Sequence, residues 1–186
     1  PIYKSDEELQ TIGIFADDLI AKLKIRGISV KYDDRDTQRP GFKFAEYELK
    51  GVPVRIAVGA RDTENGTVEI ARRDTGEKSS QPQANLDAYL ETLLEDIQQA
   101  IYKKALTFRE ENIRPANSYD EFKRLLDEQP GFISAHWDGT PETEQRIKEE
   151  TKATIRCIPL NNTLENGLCI LTGKPSTQRV LFARAY

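Results

Sequence analysis

The 186-residue chain is 38% hydrophobic and 31% charged, with a formal net charge of −4. That is enough apolar material for one large domain or two small ones. No apolar run is long enough to cross a membrane as a helix, no hydrophobic signal stretch opens the chain, and the acidic balance gives no general reason to expect a polyanion.

Methionine is absent, and the chain opens Pro-Ile-Tyr-Lys, which reads as the clipped tail of a strand in a piece of a longer protein. Ser5 followed by Glu8 is a capping-box pattern. Leu9, Ile12, Phe15, Ala16, Leu19, Ile20 and Leu23 then recur at helical spacing up to Gly27. Ile28–Tyr32 is expected as a short strand, with the clipped strand and first helix forming a right-handed crossover. Phe42–Lys50 is expected as a short helix. Val52–Val58 and Val68–Ile70 alternate as a hairpin around an Asp62–Gly66 turn. Thr75–Ala84 is polar and loop-like, and Leu86–Phe108 has one apolar helical face. The first part, 1–112, is therefore α/β, a mixed sheet flanked by helices.

Glu110–Asn117 reads as a boundary, and 113–186 as a small α+β domain. Its expected elements are helices at Tyr119–Glu128 and from Thr140 onward, with Pro141 in the first turn. Strands are expected at Phe132–Trp137, Thr154–Ile158, Leu168–Leu171 and Val180–Ala185.

No phosphate loop, dinucleotide fingerprint or nucleophile elbow occurs, and no carboxylate pair stands apart from the charged surface. The single histidine, His136, is expected to be satisfied locally within its strand. Cys157 and Cys169 are expected to be reduced thiols in a cytoplasmic protein, and their separation is unlike the close ligand pairs of structural zinc sites. The informative segment is Lys22–Arg61, where ten basic side chains stand against five acidic ones, a local +5. It interleaves Arg35, Arg39, Lys43 and Arg61 with Phe42, Phe44 and Tyr47. Those are the residue types that contact phosphates, bond guanine edges and stack on splayed bases, although Phe42 and Phe44 serve equally well as helix packing.

The stretch "DDRDTQRPGFKFAEYELKGVPVRIAVGARDTENGTVEIARRDTGEK", together with "IKEETKATIRCIP" and the terminal "RVLFARAY", resembles the prolyl-tRNA synthetase family, in the branch with an additional C-terminal domain. Glu48-Leu-Lys-Gly-Val-Pro53 followed by Gly59-x-Arg61-Asp62 is the most specific piece. The resemblance covers essentially the whole chain. It implies the anticodon-binding fold of class IIa synthetases followed by the C-terminal domain. It also implies a homodimeric cytoplasmic enzyme that joins proline to tRNA(Pro) with ATP and Mg, whose catalytic core lies outside this chain. The fragment alone should then be inactive and hold no cofactor. Arg35, Lys43, Glu46 and Arg61 are the expected readers of the two anticodon guanines, and the Tyr186 carboxylate is expected to reach the catalytic core. The family's four-cysteine zinc site maps onto Asp138, Thr143, Cys169 and Thr172. One thiol in four remains, so no metal is expected. The competing readings are the equivalent domain of a threonyl or histidyl synthetase, and an interaction module with no RNA role.

Overall fold

A computed structural model describes residues 1–129 and 131–184. They form two compact units, one spanning Pro1–Lys103 and one from Lys104 onward. This division falls inside a long helix, whereas the sequence-based boundary lies at that helix's end.

In the first unit, helix α1 (Asp6–Ile25) starts at Ser5, whose Oγ accepts the Glu8 N–H, and buries Ile12, Ala16, Leu19 and Leu23. Gly27 follows at φ +74°, a left-handed conformation that glycine adopts without strain, so the helix stops there. Helix α2 (Pro40–Leu49) has proline in its first turn. Strand β1 (Val54–Ala57), helix α3 (Ala60–Asn65), strands β2 (Thr67–Arg72) and β3 (Lys78–Pro82), and helix α4 (Leu86–Glu111) complete the order. The sheet order is β1-β2-β3 with antiparallel ladders, and Ile2 adds one parallel bridge to Gly59. One sheet face carries Ile56, Val68 and Ile70. They join α1 and the Leu86–Ile97 stretch of α4 in a single apolar cluster.

Three expected elements differ. The Asp62–Gly66 turn is instead the tail of α3, because the Asp62 carboxylate accepts the Gly59 N–H at 2.8 Å and caps a helix start. The Asn-Gly signal then ends this helix, with Gly66 at φ +63°. The polar Thr75–Ala84 segment contains β3, an edge strand held by backbone pairing to β2 that needs no apolar alternation. Ile28–Tyr32 alternates half-buried and exposed residues as a strand does, yet belongs to no ladder among the described residues.

The second unit contains β4 (Ile113–Pro115), α5 (Tyr119–Glu128), β5 (Phe132–His136), α6 (Pro141–Thr151), β6 (Ala153–Cys157), β7 (Gly167–Leu168), β8 (Pro175–Ser176) and β9 (Arg179–Arg184). Its main sheet runs β4-β5-β9-β6, with β4 and β5 parallel, and β7-β8 is a separate ribbon. The expected boundary segment is thus partly strand, with Pro115 on the sheet edge where its missing N–H costs nothing. Of the expected Leu168–Leu171 strand only Leu168 remains, as the second residue of β7. From Cys169 the chain turns back, its N–H bonding the Lys174 C=O at 2.8 Å. Phe122 and Phe182, both fully buried, meet edge-to-face at 5.2 Å in the core.

Candidate nucleic-acid interface

The antiparallel sheet of the first unit has a second face. Strand period places Arg55 and Ala57 opposite Ile56, and the register sets Arg55 beside Ala71 and Ala57 beside Glu69, with Lys78 beyond Ala71. Glu69 Oε1 lies 3.4 Å from Arg55 Nη1 and 3.6 Å from Lys78 Nζ. The small alanines leave room for this charged row. Helix α2 covers one end of it with Phe44, and the Arg55 guanidinium carbon sits 3.6 Å from the ring centroid, a cation–π stack. Arg55 Nε is buried and has no hydrogen-bond partner among the described residues. A buried donor without an acceptor is costly, and an incoming acceptor would satisfy it. Phe44, Tyr47, Glu48, Arg72 and Arg73 border a shallow cleft beside it of about 20 Å3. That is room for one water, so a base would lie over its rim rather than inside.

Three of the four sequence-predicted RNA contacts come together nearby in sequence, around a residue not singled out before. Asp33 accepts two bonds from Arg35, Nε to Oδ1 at 2.9 Å and Nη2 to Oδ2 at 2.7 Å. Arg35 Nη2 also bonds Glu46 at 2.7 Å, and Lys50 holds the other Glu46 oxygen at 2.5 Å. Lys43 is 9% exposed and donates to the Asp33 C=O at 3.3 Å. Of the three predicted contacts, Arg35 and Glu46 reach solvent while Lys43 does not. Arg61 lies apart, exposed on α3, and makes no ion pair among the described residues.

The Arg35 fork holds the Asp33 carboxyl well below the usual carboxylate range, and Lys43 adds to this against the opposing effect of burial. A depressed folded-state value means that the pair's stabilisation is complete above the unfolded value, about 3.9. It is lost as pH falls below that toward the folded value. Asp33→Asn is therefore expected to lower the urea midpoint of the first unit at pH 7. It should also flatten its acid dependence below about pH 4, measured by denaturation at both pH values.

In the second unit, three of the four residues expected at zinc-ligand positions, Asp138, Thr143 and Thr172, converge as hydrogen-bond partners. Asp138 Oδ2 accepts from Thr143 Oγ1 at 3.0 Å and from Thr172 Oγ1 at 2.9 Å. Asp138 Oδ1 accepts the Thr140 hydroxyl at 2.8 Å and its N–H at 3.2 Å. Cys169 is buried at 2% exposure. The donor set is one carboxylate, hydroxyls and a single thiol, which does not match the thiolates and imidazoles of a structural zinc site. Tyr186 lies outside the described residues.

His136 is buried between Ser176, with Nδ1 3.2 Å from Oγ, and Glu165, with Nε2 3.5 Å from Oε1. Ser176 donates its own proton to the Gln178 C=O at 3.0 Å, so the group is a structural lock rather than an activated nucleophile. Gly167 lies against the ring, and a Cβ there would come within 2.2 Å of His136 Nε2. Gly167→Ala is expected to destabilise the second unit by about 1–3 kcal/mol through overpacking, read as a lowered urea midpoint.

These features define the class first. The anticodon binding domain family matches residues 3–93, so the first unit is an anticodon-binding domain. The family described as prolyl-tRNA synthetase, C-terminal, matches residues 119–186, and the chain belongs to the prolyl-tRNA synthetase family. Its curated relatives include the proline--tRNA ligase of Cytophaga hutchinsonii, 63% identical over 186 residues. Those of Phocaeicola vulgatus and Porphyromonas gingivalis are each 59% identical, over 189 and 186 residues. Each match covers 100% of this chain and 38% of the relative, so the chain spans well under half the length of these proteins.

Proposed function

We propose that this chain is the anticodon-recognising and C-terminal portion of a cytoplasmic, homodimeric proline--tRNA ligase, which joins proline to tRNA(Pro) at the expense of ATP. ATP and Mg then belong to the catalytic core, outside this chain, and the 186 residues alone carry out no chemistry. The observation that carries the RNA reading is Arg55, stacked on Phe44 with a buried Nε that has no hydrogen-bond partner among the described residues, in a row with Glu69 and Lys78. Guanine offers O6 and N7 acceptors to an arginine fork, and N1 and N2 donors to a carboxylate.

Arg61, which makes no ion pair among the described residues, supplies a cation for a base or phosphate. Arg35 and Glu46 flank the site at the solvent rim, and Lys43 holds their support, Asp33, in place. If Tyr186 is the last residue of the full-length enzyme, its carboxylate extends toward the catalytic core, and deleting it slows proline activation. The second unit holds no zinc, and the Asp138 hydroxyl cluster does the work of a metal staple. One equivalent of zinc in purified protein would contradict this last point.

Titration of the full-length enzyme with tRNA(Pro) transcripts tests the reading. Replacing the two anticodon guanines is expected to weaken binding by about 5- to 150-fold per base, from the typical 1–3 kcal/mol of a read position. Equal binding of both transcripts would remove the assignment and favour the interaction-module reading.

A further inference from the structure

Glu69 stands at the centre of the charged row, on the middle strand β2, with Arg55 on β1 to one side and Lys78 on β3 to the other. Its direct cross-strand neighbours are Ala57 and Ser80. Both are too short to cover its head, and the side chain stays 41% exposed. The two cations reach it along the diagonals of the sheet, and both meet the same oxygen. Arg55 Nη1 lies 3.4 Å from Oε1 and Lys78 Nζ 3.6 Å from it. Oε2 has no hydrogen bond or ion pair among the described residues. An ionised carboxylate only accepts, and it takes two donors side by side. Glu69 is therefore oriented through one oxygen and open at the other.

The order of groups along the row carries information. Around the rim of guanine come two acceptors, N7 and O6, and then two donors, N1–H and N2–H. An arginine followed by a carboxylate is the matching order, donors and then acceptors. Adenine keeps N7 but has an amino donor where O6 stands and an acceptor where N1–H stands. Its amino group would face the Arg55 guanidinium and its N1 lone pair the Glu69 carboxylate. Donor would meet donor and acceptor would meet acceptor, which leaves desolvated polar groups unpaired. Arg55 alone separates the purines less sharply, because N7 is common to both. Lys78 pulls Glu69 from the side opposite Arg55, so the carboxylate does not close into a tight pair that would occupy the arginine fork.

We propose that Glu69 is a specificity-determining residue, the group that rejects adenine at one of the two anticodon guanines. Its carboxylate accepts the N1–H and N2–H of the base whose O6 and N7 face Arg55. The inference rests on the reading of this row as the RNA site, and goes beyond it by assigning the discrimination between purines to one side chain.

Binding of full-length enzyme to tRNA(Pro) transcripts tests it. Each of the two guanines is replaced in turn by adenine, or by inosine, which lacks only the N2 amino group. At one position the unsubstituted enzyme is expected to disfavour adenine by about 5- to 150-fold, the discrimination of a bidentate contact, and inosine by less. Glu69→Gln keeps the size of the side chain and turns one acceptor into a donor, the pairing that adenine needs. In this variant the preference for guanine over adenine is expected to shrink about 10-fold at that position, and the inosine penalty to vanish. The native transcript should bind more weakly and the adenine transcript should not. Discrimination at the other guanine should be unchanged. A variant that weakens every transcript by the same factor overturns the proposal, because Glu69 would then act only by holding Arg55. Inosine bound as tightly as guanine at both positions by the unsubstituted enzyme also overturns it, and needs no variant. Adenine rejected equally by the unsubstituted enzyme and by Glu69→Gln removes the role of Glu69 and leaves the RNA reading standing. Adenine accepted at both positions by the unsubstituted enzyme removes that reading and the proposal together.

Discussion

Arg55→Ala in the full-length enzyme is expected to weaken tRNA(Pro) binding by about 10- to 100-fold, the loss of one bidentate base contact or stacking platform. The side chain is 14% exposed, stacked on Phe44 and paired only weakly with Glu69, so its planar fork is already oriented before RNA arrives. Such preorganisation is what makes a single contact count. Arg55→Lys should recover little, because an ammonium neither stacks as a plane nor bonds a base edge with a fork. Stability should change far less than binding, since removing Arg55 also removes a buried donor without a partner. Binding by filter retention or fluorescence, alongside a urea midpoint, separates the two effects. A variant that binds tRNA normally would place the interface elsewhere on the unit.

Asp138→Ala is expected to destabilise the second unit by about 1–3 kcal/mol, the cost of stripping a charged acceptor from two partly buried donors and one exposed one. Thr140, Thr143 and Thr172 would each lose the same acceptor. These residues tie the start of α6 to the Cys169–Lys174 turn, which is what a metal would otherwise do for a knuckle. Asp138→Asn should fall between the two, since one amide group is a donor facing hydroxyl donors. Calorimetric or urea unfolding checks the order Asp138, Asn, Ala. If all three unfold alike, the cluster carries no structural load.

The legible parts of the chain were those whose signals are local. Ser5 and Thr140 cap α1 and α6 as their sequence positions imply, each accepting the N–H of the residue three further on. Lys43 and Glu46 lie three apart on one helix and so share a side of it by spacing alone, but their meeting with the Asp33–Arg35 segment depends on the fold. What could not be read depended on distant partners. Strand β3 is made by the backbone of β2, so its Lys-Ser-Ser-Gln-Pro sequence shows no pattern of its own. Ile28–Tyr32 shows the pattern but belongs to no ladder among the described residues. Arg55 sits in an alternating strand, which marks it as outward-facing. Nothing in that alternation says that Phe44, from another element, will cover it. Asp33 looked like one acid in an acidic turn, and only the fold shows that Arg35 and Lys43 converge on it.

The most direct measurement of the central claim is a double-mutant cycle between Arg55 and the anticodon guanines of tRNA(Pro). Binding is measured for the unsubstituted and Arg55→Ala enzymes against the native transcript and against transcripts with each guanine replaced. A contact predicts that, for one of the two guanines, the losses do not add, with a coupling of about 1 kcal/mol or more. Losses that add at both positions would show that Arg55 touches neither base, and would contradict the account.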